Sequence, residues 1–149
     1  MSSDVVIRLA TPADLPACAA IINDYIDATH WLPRVISRTE IEAILSPEIL
    51  EGRTFFVAER DGEILGYMTL VEEGFIPALY LAPKARGMGI GQDLIAEAKR
   101  RSPEGLVLDC FEPNVAARRF YEREGFTEIE GARFTEEEGV EKLRPKWQP

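Results

Sequence analysis

The sequence predicts a mixed α/β fold, with strands and helices alternating around a mixed sheet flanked by about four helices. Three observations carry that prediction. Leu15, Cys18, Ala19, Ile22 and Ile26 recur at the spacing of one helix face. Two strand-like runs flank Asp61-Gly62, a dipeptide suited to the left-handed backbone of a tight hairpin turn. A further strand-like run, Phe75 to Leu81, passes through glycines at 87, 89 and 91 into a helical segment, the strand–loop–helix order of an α/β unit.

Val5 to Leu9 reads as a short strand. Thr11 then offers a helix N-cap, with Pro12 at the first helical position and Asp14 three residues on, and the helix runs on through Ile26. The loop His30-Trp31-Leu32-Pro33 leads to a second helix from about Thr39 to Leu45, ended near Pro47. Thr54 to Glu59 and Glu63 to Val71 are the hairpin strands. Pro77 interrupts the next strand, and because proline cannot donate to a ladder, a bulge or an unpaired edge is expected there. A helix from about Gly89 to Arg101, a buried strand from Leu106 to Cys110 and a helix from Asn114 to about Glu124 follow, the last stopped by Gly125 at C′. Strands near Phe126 to Glu130 and Val140 to Trp147 complete the sheet. Nothing reads as a repeat, low-complexity tract or linker, so one domain spanning 1–149 is expected.

Composition excludes several classes of function. With 149 residues, 46% of them hydrophobic and 29% charged, the chain is long enough to bury its own core. No apolar run reaches the ~18 residues of a membrane span, and no signal-peptide stretch precedes Val5, so the cytoplasm is the expected compartment, with no membrane partner. Cys18 and Cys110 have no paired spacing and no histidine cluster beside them, so neither a disulfide framework nor a metal site is expected. A net charge of −9 opposes nucleic-acid binding, which needs a basic surface. Within that acidic chain, Lys84 to Arg101 form a basic island in which five cations outnumber Asp93 and Glu97. Lys99 to Arg101 either complement the end of a helix dipole or serve a ligand. Arg86 lies outside the dipole explanation.

Arg86-Gly87-Met88-Gly89-Ile90-Gly91 is where chemistry concentrates. Alternate glycines let backbone approach a ligand, and the helix that follows points its unpaired N–H groups back at it, which suits a pyrophosphate. A tight turn needing glycine only for its dihedrals is the other reading. No G-x-x-x-x-G-K-[ST] loop is present, and a dinucleotide fingerprint needs a small residue where Leu94 stands. The second constellation, NVAARRFYEREGF from Asn114 to Phe126, puts Asn114 and Tyr121 seven residues apart on one helix face. Taken alone these are a cap and a packing aromatic; beside the glycine loop they suggest a polar wall of the same site.

Together, LYLAPKARGMGIG and NVAARRFYEREGF resemble the acetyl-CoA signature Q/R-x-x-G-x-G/A and the following helix of the GNAT superfamily of N-acetyltransferases, in order and in spacing. The resemblance runs from Val5 to Trp147. It implies a sheet splayed open between the strands ending near Leu81 and Cys110, with pantetheine in the gap. Leu79, Tyr80 and Leu81 would offer backbone hydrogen bonds to pantetheine and the thioester oxygen, and Arg86 and Gly87 through Met88, Gly89, Ile90, Gly91 and Gln92 would hold the pyrophosphate. Asn114 and Ala117 would contact pantetheine, Tyr121 would stand near the sulfur as general acid, and Arg118 or Arg119 would reach a phosphate. Acetyl-CoA is then the co-substrate, no metal is needed, and the acceptor is a primary amine of a small molecule or peptide attacking directly in a ternary complex.

Departures from the pattern leave parts open. The strand before the glycine loop, Phe75-Ile76-Pro77-Ala78, carries no carboxylate. Glu73, beside Glu72, is the nearest candidate base, acting through water, or else a plain hairpin-end charge. A rival route passes the acetyl group through Cys110 with His30 as base. Trp31 and the acidic run Glu136-Glu137-Glu138 fall where the family builds its acceptor pocket; acidic walls would steer a cationic amine, or simply keep the protein soluble. A non-catalytic acyl-CoA sensor on the same fold is the alternative function. Family members are often dimers, and a homodimer stays open.

Overall fold

The structure is a computed structural model that describes residues 4–149. Val6–Leu9 (β1) is an edge strand paired antiparallel with Thr54–Arg60 (β2), and β2 pairs in turn with Glu63–Leu70 (β3). Asp61 and Gly62 turn this hairpin with φ of 52° and 81°, as the dipeptide requires, and the register slips once between Ala58 and Glu59. Between β1 and β2 run Leu15–Ala28 (α1), Arg38–Ile44 (α2) and the single turn Ile49–Gly52 (α3). Thr11 does not cap α1 directly. A 3₁₀ turn over Pro12–Asp14 intervenes, and the Asp14 carboxylate accepts from the Thr11 amide at 2.8 Å. Ser37 caps α2, accepting from the Glu40 amide at 3.1 Å.

Proline splits the next strand as expected. Phe75–Ile76 (β4) pairs parallel with Leu106–Leu108 (β6), whereas Ala78–Leu81 (β5), beyond Pro77, stays with β3. The parallel crossover is made by Ile90–Arg101 (α4). The expected strand Leu106 to Cys110 also breaks, at Asp109, and resumes as Cys110–Phe111 (β7). Val115–Arg123 (α5) follows, and Gly125, at φ 93°, ends it. Thr127–Glu128 (β8), Phe134–Thr135 (β9), Glu141–Leu143 (β10) and Pro145–Trp147 (β11) complete the far half, in which β10 lies between β7 and β9, and β11 between β6 and β8.

The near half of the sheet therefore runs β1-β2-β3-β5; β4 approaches it through the bond from the Val71 amide to the Phe75 carbonyl at 2.9 Å and pairs with β6 of the far half. Apolar side chains fill both faces. Leu15, Cys18, Ile21, Phe55, Val57 and Tyr67 close one under α1 and α2; Phe56, Met68, Ile90, Leu94, Ile95 and Leu108 close the other under α4. Five helices are found among the described residues where about four were expected, because α3 is too short to show periodicity.

Candidate active site

Past Pro77 the two halves of the sheet part, and the gap is a cleft of about 440 Å³ walled by β5 on one side and by β7 and α5 on the other. The backbone of β5 faces it. Ala82 donates its amide to the Leu65 carbonyl at 2.8 Å, and Ala10 donates to Phe55 at the same distance, which fixes the alternation of the whole antiparallel ladder. Ala78 and Tyr80 are thereby spent on β3, and the N–H and C=O groups of Leu79 and Leu81 point into the gap. Pro77, one residue earlier, falls on the gap side too, where it has no N–H to give.

At one end of the cleft the chain leaves β5, passes a 3₁₀ turn over Pro83–Ala85 and reaches the glycines. Gly87 and Gly89 take φ of 80° and 79°, and an added Cβ at either would meet nothing within 4 Å, so the backbone conformation and not crowding calls for glycine. Gly91 differs: its Cβ would lie 3.2 Å from Phe120 Cζ, so it is small to let α4 close on α5. The first intrahelical bond of α4 is donated by Asp93 to Gly89, which leaves the amides of Ile90, Gly91 and Gln92 without helical partners at the positive end of the dipole. The dihedral use expected of the glycines holds at Gly87 and Gly89, and Gly91 serves helix packing, which was not expected. Arg86, Gly87 and Gly91 line the cleft, Arg86 with an exposed side chain, and Met88, Gly89 and Gln92 are exposed beside them. The other cations of the basic island have structural work. Lys99 donates to the Glu124 carbonyl at 2.6 Å, Arg100 and Arg101 pair with Glu97, and Lys84 pairs with Glu63.

On the opposite wall Asn114 caps α5, its Oδ1 accepting from the Ala117 amide at 3.2 Å. Its Nδ2 donates to the Tyr25 hydroxyl at 3.0 Å. Tyr121 is 9% exposed, packed edge-on between Phe120 and Phe126, and its ring lines the cleft; burial, with Cys110, Tyr80 and Tyr25 nearby, drives its phenol pKa far up. The phenol therefore stays protonated through neutral pH. Cys110 also lines the cleft, but burial pushes its thiol up to about 11, and His30 is exposed in the loop after α1. A protonated thiol is a poor nucleophile, which weakens the route through an acetyl-cysteine.

The structure does not bring Glu73 to this cleft. Glu73 sits exposed in a turn at φ 69° and lines a larger, more open depression of about 730 Å³ with Arg101, Arg144 and Lys146, none of which reaches the cleft. The expectation that it acts as base thus loses its geometry. Among the described residues the carboxylate lining the cleft is Asp109, held by Arg144 at 2.7 Å. Trp31 stands beside the cleft with its ring edge-on to Phe111 at 5.4 Å. In the acidic run, Glu136 and Glu138 are turned onto Lys142, at 2.5 Å and 3.5 Å, and Lys142 itself lies over the Phe111 ring. Arg118 is bonded to the Glu112 carbonyl at 3.1 Å, while Arg119 is exposed. Phe120, part of the second constellation, lines the cleft too, while Tyr25 and Phe111 are cleft residues the sequence did not single out, because each lies inside an apolar pattern that reads equally well as core.

A groove with outward amides in its middle, an anion-attracting helix end at one limit and a buried phenol opposite fits a long thioester with a pyrophosphate tail, and so defines an acyl-CoA-dependent transferase by class. Comparison with known proteins agrees. The sequence model of the Acetyltransferase (GNAT) family matches residues 19–126. The peptidyl-lysine N-acetyltransferase YiaC of Escherichia coli (strain K12) is 31% identical over 123 residues, 80% of this chain and 82% of that one. The apo-form solution structure of YjaB from Escherichia coli superposes with a TM-score of 0.77 at 27% identity, covering 97% of each chain. The structure of yncA from Salmonella typhimurium with its cofactor acetyl-CoA shares the fold at a TM-score of 0.74 and 22% identity, covering 98% of this chain and 94% of the other. The protein belongs to the GNAT family of acetyltransferases, and its acetyl donor is acetyl-CoA.

Proposed function

We propose that the chain acts as one catalytic domain that acetylates the side-chain amine of lysine in peptides or proteins, by direct attack within a ternary complex. The observation that carries the chemistry is the pair of Leu79 and Leu81 backbone groups facing a gap whose other wall presents Tyr121. Acetyl-CoA supplies an activated acetyl group. The amides of Ile90, Gly91 and Gln92 hold its pyrophosphate, with Arg86 beside them, and the Leu79 and Leu81 amides hydrogen-bond the pantetheine arm and stabilise negative charge on the thioester oxygen. Tyr121 keeps its proton through neutral pH and gives it to the departing sulfur. Asp109 is committed to Arg144, so the acceptor sheds its proton to solvent before attack. The named activity of YiaC favours a peptidyl-lysine acceptor.

The test is thiol release from acetyl-CoA with lysine-containing peptides, free lysine, polyamines and N-terminal amines in parallel. Turnover confined to the lysine peptides, with the acetyl group located on the lysine Nζ by mass spectrometry, is the expected result. Turnover confined to polyamines or to N-terminal amines would overturn the acceptor. Acetyl-CoA binding with no turnover on any amine would favour the sensor.

A further inference from the structure

Tyr25 occupies a place in the cleft that no catalytic role so far described uses. It comes from α1, in the layer opposite α5, yet its hydroxyl accepts the Asn114 Nδ2 hydrogen bond at 3.0 Å across a sequence separation of 89 residues. Its ring meets that of Tyr80 at 5.4 Å, Tyr80 meets Tyr67 at 5.7 Å, and Tyr67 stacks on Phe55 at 5.3 Å. One side chain thus touches both walls, β5 through its ring and α5 through its hydroxyl, in the stretch where β5 and β7 share no ladder bond.

Hydrogen-bond accounting fixes what this contact does. The Asn114 carboxamide has one acceptor oxygen, which the Ala117 amide uses at 3.2 Å. Rotating the amide by half a turn would set its NH₂ group against that N–H, donor against donor, and undo the cap. The bond to Tyr25 holds the orientation that keeps the cap. It also leaves the second Nδ2 proton of Asn114, a cleft residue, without an acceptor among the described residues. A donor of this kind suits an amide carbonyl of the pantetheine arm.

We infer that Tyr25 is a positioning residue for acetyl-CoA, acting through Asn114 and setting the separation of the two cleft walls. The inference rests on the proposed cofactor site, and its test separates the two. Calorimetric titration of acetyl-CoA is made into the wild-type chain, Tyr25→Phe, Asn114→Ala and the double variant, with KM and kcat from thiol release and a melting temperature for each. Tyr25→Phe keeps the ring on Tyr80 and removes only the hydroxyl. Its acetyl-CoA dissociation constant and KM should rise roughly three- to tenfold, the scale of one hydrogen bond, with kcat within about twofold of wild type. In the Asn114→Ala background the same change should add less than about twofold, because its partner is gone. Wild-type affinity in Tyr25→Phe would overturn the inference. Full multiplicativity with Asn114→Ala would do so as well, and so would a lowered melting temperature with unchanged affinity, the signature of packing alone. Failure of the wild-type chain to bind acetyl-CoA would instead overturn the cofactor site, and this inference with it.

Discussion

At Tyr121 it is environment and not residue type that sets the protonation state, and the proposed role as acid follows from it. Packed between Phe120 and Phe126 in the cleft wall, its phenol is held far above the ordinary tyrosine range by loss of solvent. A raised pKa keeps the acid form through higher pH, so kcat/KM should climb with pH as the acceptor amine deprotonates, with no falling limb below about pH 10. A falling limb near pH 8 would mean that another group is the acid. Tyr121→Phe should lower kcat by roughly 10² or more while leaving acetyl-CoA affinity within a few-fold, which stopped-flow turnover and calorimetry would separate. Tyr121 and Asn114 were legible because their sevenfold spacing along a helix, set beside a glycine loop, is a pattern. Tyr25 was not, since at helical distance from Ile22 it repeats the apolar stripe of α1, and only the fold brings it to Asn114.

The glycine loop and the strands beside it carry their meaning as elements. Gly89→Ala puts a Cβ on a backbone at φ 79°, which costs about 1–2 kcal/mol of conformational energy, and it should weaken acetyl-CoA binding as the loop relaxes. Gly91→Ala brings a Cβ to 3.2 Å from Phe120 Cζ, and with that ring held in place the overpacking should outweigh the ~1 kcal/mol a helix gains from alanine. Urea unfolding of both, with an acetyl-CoA titration, distinguishes them; a Gly91→Ala protein as stable as wild type would refute the packing account. The long elements α1, α4, α5, β2 and β3 were readable from periodicity and turn chemistry. The breaks at Asp109 and Arg144, the turn α3 and the pair β9 were not, because elements of two to four residues hold no period, and their places are set by partners distant in sequence. The acidic run illustrates the same limit: as letters it is a cationic pocket or a solvated face, and only the sheet reveals Lys142 beneath Glu136 and Glu138.

At the scale of the whole molecule, the N-terminal strand is fastened to the body by charge. Arg8 grips the Asp14 carboxylate at 2.7 and 2.9 Å and also bonds Glu59, and Asp14 is 8% exposed. The guanidinium, with the Thr11 amide, holds the Asp14 carboxyl at about 2, below its ordinary value of 3.8. A depressed carboxyl stabilises the fold in full above the unfolded value and loses that contribution as pH falls, here between about pH 4 and 2. On the order of 1–2 kcal/mol is at stake. Asp14→Asn should therefore be less stable than wild type at pH 7 and show a flatter acid limb, read by thermal melts from pH 7 to 2. An unchanged limb would place the acid sensitivity elsewhere. Pro77 acts on the same scale. It has no hydrogen to offer on the gap side at the point where β4 and β6 end, and past it the two walls share no ladder, so the opening is an aperture and not a seam that must be torn. A donor molecule can thread it without waiting for strands to breathe apart, so its arrival should be governed by diffusion along the groove and its residence time by how firmly the walls grip it.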